Sequence, residues 1–445
     1  MSTPKPRRTT KNRPIYSLSA LRALALHAQG LGTPPTASPT HERIFGVVDQ
    51  LGCVQIDTLQ MVHRSQYLCL FSRVGRYDPA HLDQVAFGTD GKGTDRQLFE
   101  YWLKEACLIP LKDYRYRLPL MRQFREGRNK WWETWAEKDE NRALVGHVRT
   151  RIEAEGALRA SDFEDKRHRG GSWWNWKPAK IALERLYNIG ETMVTRREKF
   201  QRVYDLQERV LPTWVDTSEP TPEAMRRFLI LRGARALGVC KPDHASDYLR
   251  VKRPEGRGII RDLIETGELV TVQGSVMGGK EETLIVHRDN LPTLEAIAEG
   301  SLHAEHTTFL TPFDNLFWAT RRDELFWGFT QTLECYKPAP QRRWGYFSLP
   351  ILYRDALIGR FDPKLERKTK VLILRALHLE PDITITEPMI AAIAEAMRDF
   401  MAFHGAETLT IEASYPPAFG AALRTEMSDH SKESGGGKAK KTKKA

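Results

Sequence analysis

The chain has 445 residues, 41% of them hydrophobic and 28% charged, a globular composition with room for roughly three or four domains. No apolar run approaches the ~20 residues of a membrane span, and the N-terminus lacks the apolar core of a secretory signal, so a cytoplasmic protein with no membrane partner is expected. The five cysteines are widely spaced with no Cys-x-x-Cys, which argues against a disulfide framework and a zinc cluster, and no His-Glu-x-x-His occurs; neither a metal nor a cofactor is signalled.

The net charge of +11 is unevenly placed. Residues 1–13 carry five cations and no acid, residues 438–444 carry five lysines, and the chain between them is almost neutral. Both ends, 1–13 and 427–445, read as disordered basic tails that add salt-sensitive, sequence-blind attraction to DNA.

From residue 14 onward, Ile44, Val47, Val48 and Leu51 recur at helical spacing and stop at Gly52, a residue suited to a left-handed helix exit. Gly52-Cys53-Val54-Gln55-Ile56-Asp57-Thr58 follows as a short strand that buries Val54 and Ile56. Alternation then sets Gln55 and Asp57 on the other side, roughly 6.6 Å apart. An amide beside a carboxylate on a polar ridge can hold and polarise water, which is hydrolytic chemistry in outline. A plain amphipathic strand with a solvated face has the same spacing. Residues 98–150 read as helical and aromatic, with Arg115, Arg117, Arg122, Arg125 and Arg128 on solvated surface and Trp131, Trp132 and Trp135 in packing.

Charge concentrates between Lys166 and Arg202, where ten Lys or Arg meet three acids and Trp173, Trp174 and Trp176 are interleaved. Ala179, Ala182, Leu183 and Leu186 line one face of a helix that starts near Pro178, with Lys177 and Lys180 off that face. After Gly190, Thr192–Arg196 is predicted to pair with Gln201–Leu206 across Arg197-Glu198-Lys199. A third instance has Ile260, Leu263 and Ile264, then Gly267-Glu268 and a strand over Leu269–Val272. Helix, glycine exit and two-stranded ribbon describe the end of a winged helix-turn-helix, which presents cations to phosphates. Three tandem units are read, at 14–145, 146–212 and 213–305.

After residue 306 the pattern changes. Trp344–Leu349 and Ala356–Phe361 read as strands of a β-barrel-like domain, 306–426. A helix from Pro388 to Phe403 follows, capped by Thr386, stopped at Gly405, with Ile390, Ile393, Met397 and Phe400 facing inward. The fold class is therefore α+β.

With these residues in view, the chain resembles the winged-helix DNA glycosylases of the AlkZ/YcaQ type, most closely the YcaQ-like branch that unhooks interstrand crosslinks. Gln55-Ile56-Asp57-Thr58 is similar to that branch's Gln-aliphatic-Asp signature, where the other branch has Gln-x-Gln. The likeness continues through Leu70–Gly75, Glu100-Tyr101-Trp102, Trp173–Pro178, Phe200–Leu206, Leu333–Tyr336 and Arg343–Phe347, and so spans most of residues 15–425. Lys104, before Glu105-Ala106-Cys107, departs from a histidine in the relative, so no proton-transfer role is assigned to it.

The resemblance implies a C-shaped DNA channel formed by three winged helices and a β-barrel, with no metal or cofactor. It implies hydrolysis of the N-glycosidic bond of N7-alkylguanine, including crosslinked guanine, in base excision repair, with double-stranded DNA as partner. A monomer associated with the nucleoid is expected. Asp57 and Gln55 are the candidate catalytic residues; Arg73, Trp174, Lys177, Lys180, Arg196 and Arg197 are the candidate DNA contacts. A non-enzymatic winged-helix regulator would explain the basic cluster equally well, but not an acid on the polar ridge, where a carboxylate repels phosphate.

Overall fold

The computed structural model describes residues 14–36, 39–89, 93–127, 130–163 and 176–435, apart from the side chains of Trp132, Trp176, Lys177 and 429–435. Both basic termini beyond these limits, and Trp173 and Trp174, lie outside the described residues. No helix among the described residues is long and apolar enough to cross a membrane.

Strand β1 (Ile15–Tyr16) and helix α1 (Leu18–Ala28) open the chain. One order of elements then occurs three times. Its first instance runs α2 (His41–Leu51), β2 (Val54–Gln55), α3 (Ser65–Val74), α4 (Pro79–Phe87), β3 (Leu98–Trp102) and β4 (Ala106–Pro110), with strands in the order β2-β4-β3. Helices α5 (Leu118–Arg125) and α6 (Lys130–Ala136) lead to the second. It comprises α7 (Asp139–Glu155), β5 (Leu158–Arg159), a 3-10 turn at Ala160–Phe163, α8 (Trp176–Asn188), β6 (Thr192–Glu198) and β7 (Gln201–Leu206), again ordered first-third-second as β5-β7-β6.

After α9 (Gln207–Val210), the third instance has α10 (Pro222–Leu237), β8 (Val239–Cys240), α11 (Pro242–Tyr248), α12 (Arg253–Glu265), β9 (Leu269–Ser275) and β10 (Glu281–His287). Its sheet has the order β8-β10-β9, with β1 added in parallel outside β9.

Local chemistry sets the boundaries. Thr40 caps α2 by accepting from the Arg43 N–H at 3.2 Å, and Gly52 ends the helix at φ +80°. Thr221 accepts from the Ala224 N–H at 3.1 Å, with Pro222 at the first helical position of α10.

Two expectations are corrected here. The strand bearing Gln55 follows the first helix of its unit, not the last, so it is the edge strand of a three-stranded sheet and not part of a wing. Helix–glycine–strand occurs at both places, which is why spacing alone misaligned the first unit with the others. Residues 98–110 form the β3–β4 hairpin, not helix, because Leu98, Phe99, Tyr101 and Leu108 are all buried and pair in register.

The hairpin of the second unit is as expected except at its tip. Pairing extends to Glu198↔Gln201, and the turn falls on Lys199 and Phe200, both at positive φ (47° and 69°).

Helix α13 (Leu291–Ala298) precedes the last sheet, whose first strand is β11 (Thr307–Phe309), and α14 (Arg322–Trp327) follows that strand. Strands β12 (Leu349–Tyr353), β13 (Ala356–Glu366) and β14 (Val371–Leu379), helix α15 (Glu387–His404), β15 (Thr408–Ile411), β16 (Ser414–Tyr415) and α16 (Pro417–Gly435) complete the chain. The six strands follow the order β11-β12-β13-β14-β15, with β16 also parallel to β14. This sheet is curled but open, a half-barrel rather than a closed one.

Residues 344–348 are irregular rather than strand, because side-chain carboxylates take their backbone donors. Glu334 accepts from the Trp344 N–H at 2.6 Å, and Asp362 accepts from the Tyr346 and Phe347 N–H groups at 2.9 Å each. Helix α15 agrees with the expectation, with Ile390, Ile393, Met397 and Phe400 buried and Gly405 left-handed, although the Thr386 side chain makes no cap bond. Helix α16 continues to 435, past the boundary set at 426.

The open sheet and the first unit share one apolar core. Phe71 of α3 lies 5.7 Å from Phe400 and 4.8 Å from Phe403 of α15, ring centre to ring centre. That contact fixes the first unit, and Asp57 with it, against the C-terminal sheet.

Candidate active site

Strand β2 ends one ladder bond after Gln55, where the Ile56 N–H donates to the Ala106 carbonyl at 2.8 Å. Asp57 is the next residue and leaves the sheet through a local turn, its Oδ1 accepting from the Leu59 N–H at 2.8 Å. The carboxylate is half-buried and has no ion pair among the described residues. Burial raises its pKa above the ordinary aspartate value, against the lowering effect of the Leu59 and Thr58 backbone donors.

Asp57 opens into a cleft between the first and second units. Thr58, Trp102 and Glu105 form one wall with it; Lys180, Arg197, Gln201 and Arg202 face them. Three acids and three bases line it: the first unit contributes Asp57 and Glu105, and the second contributes all three bases together with Glu184, which lies 4.0 Å from Lys180.

The basic wall is braced from behind. Glu100, fully buried, receives Arg197 at 2.7 and 2.9 Å and also pairs with Arg202. Its burial works to raise its pKa, yet Arg202 and Arg197 outweigh this and hold it ionised, below the ordinary value. Arg202 also lies 4.7 Å from the centre of the Trp102 ring.

The sequence-predicted residues are not all brought together. Lys180 and Arg197 line the Asp57 cleft, and Arg196 lies on an adjoining recess, half-exposed and paired with Glu198 at 2.6 Å. Gln55 is 7% exposed and is not on the cleft surface, so the side-by-side polar ridge does not form. It pairs with Cys107 within the sheet, both residues of β2 are buried, and its amide makes no side-chain hydrogen bond among the described residues.

Arg73 is a correction. It is completely enclosed and bound to Asp314 through two contacts of 2.7 and 2.8 Å, with Gln29, Cys69 and Ser72 taking its remaining donors, so it cannot touch DNA. Trp174 is outside the described residues; Lys177 is in the first turn of α8 but its side chain is likewise undescribed. Arg202, Trp102 and Glu100 were missed as site residues, although Glu100–Trp102 and Phe200–Leu206 stood out as shared segments.

A family model described as AlkZ-like DNA glycosylase matches residues 48–403, a span that begins just before Asp57 and takes in both walls of the cleft. The chain belongs to that family. Among solved structures, the Streptomyces sahachiroi DNA glycosylase AlkZ superposes with a TM-score of 0.60, covering 90% of this chain and 100% of that one at 16% identity, which establishes a shared fold. As a DNA glycosylase of the AlkZ-like family the protein acts on DNA.

Proposed function

We propose that the protein is a monofunctional glycosylase for N7-alkylguanine that also unhooks guanine crosslinks, with Asp57 as its catalytic carboxylate. We read the three repeated units as tandem winged helices lining a C-shaped channel, a reading supported by their common strand order. The observation that carries the proposal is an unpaired, half-buried carboxylate facing a wall of bound cations.

N7-alkylguanine is already cationic, so breaking the C1′–N9 bond sends the electron pair onto a base that leaves neutral. The barrier lies on the sugar, where oxocarbenium character develops. Asp57 stabilises that charge and orients water toward C1′, accepting its proton as the new C–O bond forms. Lys180, Arg197 and Arg202 stand opposite, suited to phosphates, so this placement of charge matches a substrate that is cationic at the lesion and anionic along its backbone. Gln55, two residues before Asp57 and off the cleft surface, is assigned no contact with the sugar.

Purified protein incubated with duplex DNA carrying N7-methylguanine, then treated with alkali, should yield strand breaks at the lesion. Binding without scission would favour the non-enzymatic regulator. The rate should fall as pH drops through the raised pKa of Asp57, giving an acid limb above the ordinary aspartate value of about 3.9. A pH-independent rate down to that value would remove an ionised Asp57 from the chemistry.

A further inference from the structure

Beside the Asp57 cleft, and divided from it by Phe200 and Arg197, a second recess lies between the first unit and the tip of the β6–β7 hairpin. Arg64, Gln66, Asp83 and Arg196 line it. Phe200 at the hairpin tip is held between two guanidinium groups, Arg64 at 4.0 Å and Arg197 at 4.4 Å from its ring centre.

The two arginines differ in one respect. Arg197 is ion-paired with Glu100, which it shares with Arg202. Arg64 has no ion pair and no side-chain hydrogen bond among the described residues, and its Nε is buried without a partner. Burial lowers its pKa below the ordinary arginine value, with the like charges of Arg197 and Arg367 adding to that and Tyr67 and Asp83 acting against it. A cation placed like this calls for an external anion. Asp83, the carboxylate in the recess, is instead held by the Tyr67 hydroxyl, which donates to it at 2.9 and 3.2 Å.

Two further features favour an anion. Arg64 is the cap residue of α3 and supplies no side-chain acceptor; the Tyr67 N–H turns back to the Arg64 carbonyl at 3.1 Å, which leaves the Ser65 and Gln66 amides at the positive end of that ten-residue helix without a side-chain cap. Gln66, only 4% exposed, lines the same recess with a buried Oε1 that has no partner, an acceptor that a water bound to the phosphate can satisfy.

We propose that this recess is a phosphodiester site, in which Arg64, with the N-terminus of α3 and with Arg196 at the rim, takes a backbone phosphate next to the nucleotide presented to Asp57. Which nucleotide that is rests on the reading of Asp57 above; the phosphate contact itself does not. Arg64 then fills the role that sequence had given to Arg73.

The test uses full-length protein and duplexes in which 2′-fluorinated N7-methylguanosine resists cleavage, with single neutral methylphosphonates placed at successive positions around it. Wild type should lose about tenfold in affinity at one or two positions flanking the lesion. Arg64→Ala should bind the all-phosphate duplex about tenfold more weakly, lose nothing further at those positions, and show a salt slope shallower by about one. Arg64→Lys should keep the position-specific loss. An alanine variant as sensitive as wild type at every position, or a lysine variant indistinguishable from alanine, overturns the proposal. Because the lesion stays intact, failure of the catalytic reading would appear only in base release and leave this binding result standing.

Discussion

Arg73→Met should lower stability by about 3–5 kcal/mol, read as a shift of the urea midpoint, while leaving the DNA affinity of the folded protein unchanged. Both partners of the Arg73–Asp314 pair have fully buried side chains. Burial alone would lower the Arg73 pKa, yet Asp314 holds it above the ordinary arginine value. Methionine fills a similar volume but strands the carboxylate, which loses both guanidinium contacts and keeps the Leu316 N–H at 3.0 Å. Asp314 sits in the segment that joins β11 to the rest of the C-terminal sheet, so the loss falls on the junction between that sheet and the first unit. Adding Asp314→Leu should recover much of the loss, since a buried pair replaced by apolar groups costs little. A small stability change with a marked loss of DNA affinity would instead return Arg73 to the DNA surface.

That residue also marks how far sequence could reach. Helix periodicity located α2, α8, α12 and α15 with their buried faces, because each is amphipathic and ends near glycine. Local pattern also placed the hairpin of the second unit. It could not show that Arg73 faces inward, because its partner is 241 residues away and lies in another part of the fold. The same limit hid Glu100, whose neighbours give no hint of the two arginines it meets 97 and 102 residues later. Gln55 was misjudged for a related reason. Strict alternation assumes a strand long enough to have two faces, whereas β2 is two residues long and buried at both. Repetition of helix–glycine–strand was real, but only the strand orders separate the start of a unit from its end.

The second large effect concerns Asp57. Asparagine keeps the Oδ1 acceptor for the Leu59 N–H and adds no bulk, so the local turn should survive Asp57→Asn. The variant should be at least as stable as wild type at pH 7. Burial makes the folded protein hold the Asp57 proton more tightly than the unfolded chain does, so wild type loses stability as pH rises from about 3.9 through the raised value, and asparagine escapes that loss. DNA binding should hold or tighten, because a negative charge leaves the cleft. What asparagine cannot do is stabilise a developing cation or accept a proton from water, a role worth about a hundredfold or more. Single-turnover release of N7-methylguanine, with enzyme in excess over a saturated duplex, measures that step alone. We predict release slowed by about a hundredfold or more in Asp57→Asn with the lesion duplex still fully bound; release at the wild-type rate would contradict the assignment of the chemistry to this carboxylate.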